Sequence, residues 1–441
     1  MNNKLNTKTL LKTYFGIFAV SSVLFFIMLA LTDGQSFHHT LFRNTVGTDF
    51  FMDFFNSIRD ASTKEVYKEG IIYPPLANIF FYVLSLMIDP KLAATSFSKR
   101  TLLQRDYVCL FIYFVFVILC LLLFSSIIKR YFAKYGFDKY SSALSVLLIF
   151  SYPMIYCVQR GNVALLSLVF SMFFVFNRNN ENKLIKELSF ILLAIAAGIK
   201  LYPAAFGLLL LTDKKYKDAI RLVIYGIICI ILPFFFYDGF ESIGDLLNNL
   251  NEFSDFSLNK LSPEFVCIDL LALYANTLFG VGYYSAYAFL ATVTYLSALV
   301  IFIVSDKEWQ KIWAVVYMIM NYPSTARTYI LVFAIIPFII FLCSKSFRKR
   351  DIPYFITFLL LIVVIPPLYI TKISAILDWT EGISGLNQLM YFINDYLASP
   401  NQLLSAFIVT GITLYMFADT LISITRGEIQ LPHIKLKTKK K

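Results

Sequence analysis

The stretch Tyr107–Ile128 reads YVCLFIYFVFVILCLLLFSSII and contains no charged residue. An α-helix needs about 20 apolar residues to cross the hydrocarbon core of a bilayer, so this stretch is long enough to span a membrane. The whole chain of 441 residues agrees, since 58% of its residues are hydrophobic, 15% are charged and the mean hydropathy is +0.69. Soluble domains carry about 25% charged residues. The composition therefore excludes a soluble enzyme, a disordered chain and a small secreted domain held together by disulfides.

Further apolar runs on both sides of this stretch predict an all-α polytopic membrane protein. A transmembrane β-barrel would show segments of about 10 residues with alternating hydrophobicity, whereas the runs here are continuous. The predicted spans are 14–31, 107–128, 142–158, 163–176, 188–211, 219–236, 283–304, 312–322, 329–343, 352–370 and 403–424. The run 188–211 contains Lys200 and is either one span or two short helices that meet at Lys200–Pro203. Two shorter runs, 76–88 and 267–279, are predicted to be re-entrant or peripheral.

The positions of Lys and Arg predict the orientation of these spans, because cytoplasmic segments carry an excess of positive charge. With the N-terminus inside and 188–211 crossing twice, most of the 39 basic residues face the cytoplasm and most of the 28 acidic residues do not. The predicted cytoplasmic segments are 1–13, 129–140, 177–187, 212–221, 305–311, 344–351 and 422–441. We therefore predict about 12 crossings with both termini in the cytoplasm. The abundance of Lys, Asn, Ile and Phe suggests a bacterial protein, and hence the bacterial plasma membrane.

The remaining composition predicts neither a nucleic-acid partner nor a cofactor. The formal net charge is +11, but the positive charges occur in short clusters between apolar runs. The six cysteines lie mostly inside apolar runs without metal-ligand spacing, so we expect them to pack as small hydrophobic residues. The three histidines are too scattered along the chain to form a metal site.

The first outer loop, residues 33–75, carries two informative acidic residues, Asp49 and Asp53. Thr48 or Asp49 can cap a helix, which predicts an interfacial helix on the outer membrane surface. The apolar face of that helix would consist of Phe50, Phe51, Phe54, Phe55 and Ile58. Asp49 is then either a helix cap or a general base, because partial desolvation at a membrane surface raises the pKa of a carboxylate.

Three cations lie near span ends on the predicted outer side, where the positive-inside trend does not place them. Arg160 stands in the turn Arg160-Gly161-Asn162, Lys200 is the only charged residue of its run, and Arg327 follows a second polar hairpin tip. Each alone has a plain structural interpretation, as a charged turn or a snorkelling side chain. Lys200, however, is about 12 residues or roughly 18 Å of helix from either end of its run, which is too far to snorkel. Together the three cations predict an anionic group anchored in lipid.

In this order, the elements resemble the polyprenol-phosphate-sugar-dependent glycosyltransferases of family 87, which have the GT-C membrane fold. The matching residues are Asp49-Phe50, Tyr73-Pro74-Pro75, Arg160-Gly161-Asn162 and Ile199-Lys200-Leu201-Tyr202-Pro203. The resemblance covers about residues 14–345. We therefore predict a GT-C-like core over 1–345, followed by C-terminal helices and a basic cytoplasmic tail over 346–441. One departure is that Arg327-Thr328-Tyr329 occupies a region where many members carry a His.

The resemblance implies an inverting transfer of one hexose, often mannose, from a polyprenyl-phosphate-sugar donor to an acceptor hydroxyl on the extracytoplasmic face. Asp49 would be the general base. Arg160, Lys200 and Arg327 would bind the donor phosphate and stabilise its charge as it leaves. The implied substrate-binding residues are Asp53, Tyr73, Asn162, Tyr202 and Tyr329. The partners would be the lipid-linked donor, a glycan or glycolipid acceptor and membrane lipid.

Two other classes of function stay open at this point. A lipid-linked glycan polymerase or ligase would also have many spans and outward-facing Arg residues. A transporter or flippase of lipid-linked sugars would show an inverted internal repeat and broken helices at mid-membrane, and no such repeat is visible in the sequence.

Overall fold

The computed structural model describes residues 7–34, 50–95, 97–258, 265–321, 326–344, 347–366 and 399–429. Within these ranges the regular structure is helical, and the only β-type pairing is an isolated antiparallel bridge between Phe265 and Arg327. The α-helices are α1 (Thr7–Leu31), α2 (Met52–Asp60), α3 (Pro75–Ser85), α4 (Pro90–Ala93), α5 (Tyr107–Lys134), α6 (Asp138–Ile149), α7 (Tyr152–Arg160), α8 (Ala164–Asn177), α9 (Lys183–Ile199), α10 (Leu209–Thr212), α11 (Tyr216–Ile231), α12 (Phe240–Leu258), α13 (Ile268–Phe279), α14 (Tyr283–Val304), α15 (Glu308–Asn321), α16 (Ile335–Leu342), α17 (Ile352–Ile362) and α18 (Pro400–Thr425). Short 3-10 helices cover Phe97–Arg105, Tyr202–Leu208, Leu232–Phe236, Thr328–Ala334 and Lys349–Asp351. The predicted all-α class is confirmed for this part of the chain.

Five helical segments are long and apolar enough to cross a membrane: α1, α5, α14, α18 and Tyr216–Phe236, which joins α11 to the 3-10 helix after it. Helices α6 and α7 would add a sixth span as a pair bent by 50°. Such segments expose large apolar side chains, among them Phe111, Ile224 and Phe289, which lipid would cover. The chain is therefore a polytopic membrane protein. The other crossings of the predicted 12 would be made by shorter apolar helices, and that number stays a prediction.

The span predicted over 142–158 consists of two helices in the structure. Helix α6 ends at Ile149, Ser151 is extended (φ −69°, ψ 151°), and α7 starts at Tyr152 with Pro153 in its first turn. Proline has no N–H to donate inside a helix, but its fixed φ suits a first turn. The predicted span is therefore bent, because Pro153 starts a new helix at an angle of 50° to the old one.

The apolar run around Lys200 is also divided into two helical pieces. Helix α9 ends at Ile199, Lys200 is extended (φ −141°, ψ 124°), and a 3-10 helix begins at Tyr202 with Pro203 in its first turn. Of the two forms considered for 188–211, the structure has the pair of helices that meet at Lys200. The break places the lysine at a helix end, where its side chain can turn towards neighbouring elements.

Helices α8 and α9 separate two polar ends of the molecule. Helix α8 runs from the Arg160–Asn162 turn to Arg178, and α9 returns to Lys200. At 1.5 Å per residue, α8 places these ends about 20 Å apart. At the far end, buried Arg178 pairs with Asp213 at 3.0 Å and with Glu308 at 2.9 Å. Three of the segments predicted to be cytoplasmic therefore meet at one end, away from the Arg160 turn.

Helix α2 differs from its prediction in two respects. Its N-cap residue is Phe51, so the helix begins later than predicted, and the predicted caps Thr48 and Asp49 lie outside the described residues. Its apolar face is covered by protein: the buried ring of Phe54 lies against Phe81 of α3, with the ring centroids 5.4 Å apart. The sequence pattern shows that this face is apolar but not what covers it. Aromatic partners on α3 and α5 supply the cover that lipid was expected to supply.

The most buried part of the chain lies behind the site described below. Almost every side chain of the 3-10 helix Thr328–Ala334 and of α16 is buried. The C-terminal helix α18 packs on the same core, where Trp313 Nε1 donates to Thr413 Oγ1 at 2.9 Å. The hydroxyls of Tyr152 and Ser399 are also hydrogen-bonded, at 2.9 Å. This packing gives the residues that follow Arg327 a rigid base.

Candidate functional site

Phe51 fixes the first outer loop, at the start of α2, against the turn that follows α7. Its backbone is left-handed (φ 55°, ψ 22°), which is uncommon for a residue other than glycine. Its N–H donates to Gln159 O at 2.8 Å, and its ring packs on Tyr113 with the centroids 4.3 Å apart. Asp49, the predicted general base, lies outside the described residues. The described part of the loop therefore begins at a point that is held firmly on α5 and α7.

Asp53 connects α2 to the same turn through both of its carboxylate oxygens. Oδ1 accepts from Arg160 Nη2 at 2.7 Å, and Oδ2 accepts from Asn162 Nδ2 at 2.8 Å. Asn162 Oδ1 in turn accepts from the N–H of Ala164 in the first turn of α8, at 2.9 Å. The side chains of Arg160 and Asp53 are only 9% and 17% exposed, so the ion pair is shielded from solvent. The structure thus brings three predicted site residues together and gives Asp53 a positioning role that the sequence did not predict.

The surroundings of Asp53 keep its carboxylate ionised. Burial alone raises the pKa of this group, but the Arg160 guanidinium and the hydrogen bond from Asn162 lower it, and Arg327 and Lys200 act in the same direction. The net result is a pKa below the ordinary value of an aspartate. A general base works best when its pKa is near the working pH. Asp53 is therefore suited to be a fixed counter-charge rather than a proton acceptor.

Gly161 allows α2 to approach the α7–α8 turn closely. Its backbone has a φ of +69°, and a Cβ at this position would lie 2.8 Å from both the Cα and the carbonyl oxygen of Phe51. A side chain would therefore be strained in its own conformation and would collide with backbone atoms that cannot turn aside. The Arg-Gly-Asn turn needs its central glycine for the contact between α2 and α8.

Lys200 lies between two tyrosine rings. Its Nζ is 4.0 Å from the centroid of the Tyr73 ring and 5.8 Å from that of Tyr329. Cation–π contacts of this kind hold a cation in place without neutralising it. The direct ion pair of Asp53 goes to Arg160. In the described part of the chain, Lys200 is therefore held by ring faces rather than by a carboxylate, and its charge is available to an anionic ligand.

Arg327 reaches the same cluster from the second polar hairpin. Its backbone forms the bridge with Phe265, and its guanidinium carbon lies 5.8 Å from the centroid of the Phe265 ring. The guanidinium is close enough to act electrostatically on Asp53. Asn321, before the same hairpin tip, has a structural role, because its Oδ1 accepts from the N–H of Ile268 at 3.0 Å.

Tyr202 completes the aromatic lining of the cluster. Its ring meets that of Phe333 edge to face, with the centroids 5.6 Å apart. Its hydroxyl is buried and lies within electrostatic reach of Tyr73 and Tyr329. The structure therefore gathers at one end of the α8–α9 hairpin every predicted site residue that it describes: Asp53, Tyr73, Arg160, Asn162, Lys200, Tyr202, Arg327 and Tyr329.

A hydrogen-bonded support behind Tyr73 was not predicted from the sequence. Asn78 Nδ2 and the Tyr67 hydroxyl both donate to the Tyr73 carbonyl, at 3.0 Å and 3.1 Å. Asn249 on α12 donates to the Tyr67 carbonyl at 2.8 Å. An asparagine inside an otherwise apolar run is a sequence signal that could have drawn attention to Asn78. The hydrogen bond between Asn249 and Tyr67 has no such signal, because the two residues are 182 positions apart in the sequence.

The described cluster has three basic side chains and one carboxylate, so it is net positive. Arg and Lys donors of this kind suit phosphate, which accepts several charge-assisted hydrogen bonds. Within the described ranges, no group of three or more His, Cys, Asp or Glu side chains is placed to hold a metal ion. The three cationic side chains can stabilise negative charge on an anion bound beside them.

The description "Glycosyltransferase family 87" belongs to a family model that matches residues 72–321, more than half of the chain. The chain belongs to glycosyltransferase family 87. The resemblance inferred from its motifs is thereby confirmed, and the protein is a membrane glycosyltransferase. Asp53 and Arg327 lie outside the matched residues of this glycosyltransferase, yet they belong to the same cluster as Lys200. Neither a curated protein nor a solved structure matches the chain.

We expect Gly161→Ala to destabilise the glycosyltransferase through its contact with Phe51. The matched control is Gly136→Ala, because Gly136 also has a positive φ, of +76°, but a Cβ there meets nothing within 4 Å. Left-handed backbone strain should destabilise both variants by about 1–2 kcal/mol, and overpacking against Phe51 should destabilise Gly161→Ala by about 1–3 kcal/mol more. Thermal unfolding of the purified protein in detergent measures the difference. Equal melting temperatures for the two variants would show that α2 does not press on the turn.

The contacts of the Asp53 carboxylate with Arg160 and Asn162 predict how the stability of the folded protein depends on pH. Because the folded-state pKa lies below the unfolded value of about 3.9, the stabilisation is complete above about pH 5 and is lost as the pH falls through the folded pKa. Asp53→Asn should lower the stability at pH 7 by about 1–3 kcal/mol, since two hydrogen bonds to a charged group are weakened. Melting temperatures of wild type and variant should differ by a constant amount from pH 8 to pH 5 and converge in more acid buffer. If the difference in melting temperature between wild type and variant changes between pH 6 and pH 8, the pKa of Asp53 is not lowered.

Proposed function

We propose that this glycosyltransferase moves one hexose, mannose or a similar sugar, from a polyprenyl-phosphate donor to an acceptor hydroxyl on the extracytoplasmic face. The observation that carries the proposal is the position of Lys200. It stands at a break between two helices, held by the rings of Tyr73 and Tyr329, with Arg327 and Arg160 close by. A cation held in this way is expected to meet an anion, and the phosphate of a lipid-linked sugar supplies one at membrane depth.

The proposed reaction is a single displacement with inversion at the anomeric carbon. The acceptor oxygen forms a bond to the anomeric carbon from the face opposite the phosphate, while the bond from that carbon to the phosphate oxygen breaks. Asp49 takes the proton of the attacking hydroxyl. Arg160, Lys200 and Arg327 bind the polyprenyl phosphate and stabilise the negative charge that it gains as it leaves.

The remaining site residues would hold the substrates in place. Tyr73, Tyr202 and Tyr329 line the space around Lys200 and offer ring faces and hydroxyls to a sugar. Asp53 and Asn162 are hydrogen-bonded to each other and would also contact the substrate. Because their hydrogen bonds to the Arg160 turn already occupy part of their capacity, we assign their main effect to fixing that turn.

The proposed orientation puts this site outside the bacterial plasma membrane and both termini in the cytoplasm. It is supported by the ion pairs of Arg178 with Asp213 and Glu308, which join predicted cytoplasmic segments at the end away from Lys200. Twelve crossings would result if the helices on either side of Lys200 each reach one face of the membrane. In this arrangement residues 1–345 form the catalytic core, and 346–441 add C-terminal helices and the basic tail.

The test is sugar transfer by membranes that contain the protein and are supplied with polyprenyl-phosphate-mannose. We expect Asp49→Asn to lower the rate by about 100-fold or more, the usual effect of losing a general base. Lys200→Met should cause a similar loss, because the leaving phosphate loses its nearest cation. The matched control is Lys215→Met, which removes a partly exposed lysine that donates to Asn179 at the opposite end of α8 and α9.

Full activity of Asp49→Asn would exclude Asp49 as the base, and full activity of Lys200→Met would exclude the phosphate site. If the presence of this protein changes the length of a glycan chain but not its sugar composition, the protein is instead a polymerase or ligase. Uptake of the lipid-linked sugar into vesicles without covalent change would indicate a transporter.

A further inference from the structure

The hydroxyl of Tyr202 is buried and has no hydrogen-bond partner among the described residues. Buried polar side-chain atoms are paired in the large majority of cases, and each exception requires an explanation. A phenylalanine would fill the same volume without leaving an oxygen unpaired. The hydroxyl is therefore not explained by the folding of the described chain.

The position of this hydroxyl is fixed by the elements around it. Tyr202 follows Lys200 by two residues, at the start of a 3-10 helix with Pro203 in its first turn. Its ring stands edge to face on Phe333, with an angle of 89° between the ring planes. Because Phe333 is itself buried in the core, the Tyr202 ring has a rigid wall behind it. The hydroxyl is thus held in one place before any ligand binds.

The groups near Tyr202 divide the site into two chemically different parts. The phosphate of the donor has Lys200 as its cation, with Arg327 and Arg160 also near Asp53. A neutral phenol adds little beside such donors. A sugar hydroxyl needs a different partner, one that can both donate and accept, and the phenol of Tyr202 has this property. The titratable groups within electrostatic reach of Tyr202 are Tyr329, Cys157 and Tyr73, and the two tyrosines among them have the same property.

We infer that Tyr202 determines sugar specificity, its hydroxyl forming a hydrogen bond with one hydroxyl of the transferred hexose. The inference rests on the proposed function, because it requires a sugar joined to the phosphate that Lys200 binds. It goes further in assigning Tyr202 to the sugar and not to the phosphate. A site that is built to bind a hydroxyl rejects analogues that lack it, since its own polar group is then left unpaired.

The experiment compares the binding of two probes by the full-length protein in detergent: polyprenyl phosphate, and polyprenyl phosphate that carries mannose, glucose or galactose. Tyr202→Phe should weaken the binding of the preferred sugar-bearing probe about 3- to 10-fold, the usual effect of one neutral hydrogen bond. It should leave the affinity for bare polyprenyl phosphate unchanged. Lys200→Met should weaken the binding of both probes. The melting temperature of Tyr202→Phe should not fall, because the oxygen that it removes has no partner in the described fold.

The matched control is Tyr14→Phe. The Tyr14 hydroxyl on α1 is also buried without a partner among the described residues, and its ring packs against Phe338, with the centroids 5.4 Å apart. Removing this oxygen should change neither affinity. If Tyr202→Phe binds both probes like the wild type, or loses affinity for both equally, the inference is overturned and the proposed function stands. If the wild type binds none of the sugar-bearing probes, the inference and the proposed donor are both overturned.

Discussion

The carboxylate of Asp53 holds the first outer loop of the enzyme on the turn between α7 and α8. One oxygen accepts from Arg160 and the other from Asn162, while Asn162 also binds the first turn of α8. A loop residue, a turn and a helix start are thus joined through one ionised group. Gly161 makes the contact possible, because its missing side chain leaves room for the backbone of Phe51. This junction fixes the part of the site that contains Asp53, Arg160 and Asn162.

Electrostatics at the two ends of the α8–α9 hairpin differ in a way that fits the proposed chemistry. At the far end, two carboxylates neutralise the buried charge of Arg178. These ion pairs stabilise the fold there without a ligand. At the site, Asp53 is paired with Arg160, while Lys200 rests on the rings of Tyr73 and Tyr329. An excess of positive charge is costly at membrane depth. A phosphate that binds there would offset the cost of the excess positive charge. Binding of the donor would thus stabilise the site.

The sequence was informative where a single residue contradicts its surroundings. Lys200 in the middle of an apolar run, followed by Pro203, indicated that a helix break was one of two forms for 188–211, and the structure has that break. The anion site at Lys200 stays a prediction. The sequence was uninformative where the answer depended on contacts distant in sequence. The apolar face of α2 was expected to meet lipid but meets Phe81 and Tyr113, and the Asn249 support of the loop before α3 spans 182 residues. Periodicity shows which face is apolar, whereas tertiary packing decides what covers it.

In the proposed chemistry, a donor phosphate binds at Lys200 in the cluster that also contains Asp53. The decisive experiment is an experimental structure of the protein with a bound polyprenyl-phosphate-sugar. We expect the phosphate within hydrogen-bonding distance of Lys200 Nζ, beside the rings of Tyr73 and Tyr329, with its lipid tail leaving into the membrane. A phosphate bound at the Arg178 end, or at the site but out of reach of Lys200, would show that this assignment is wrong.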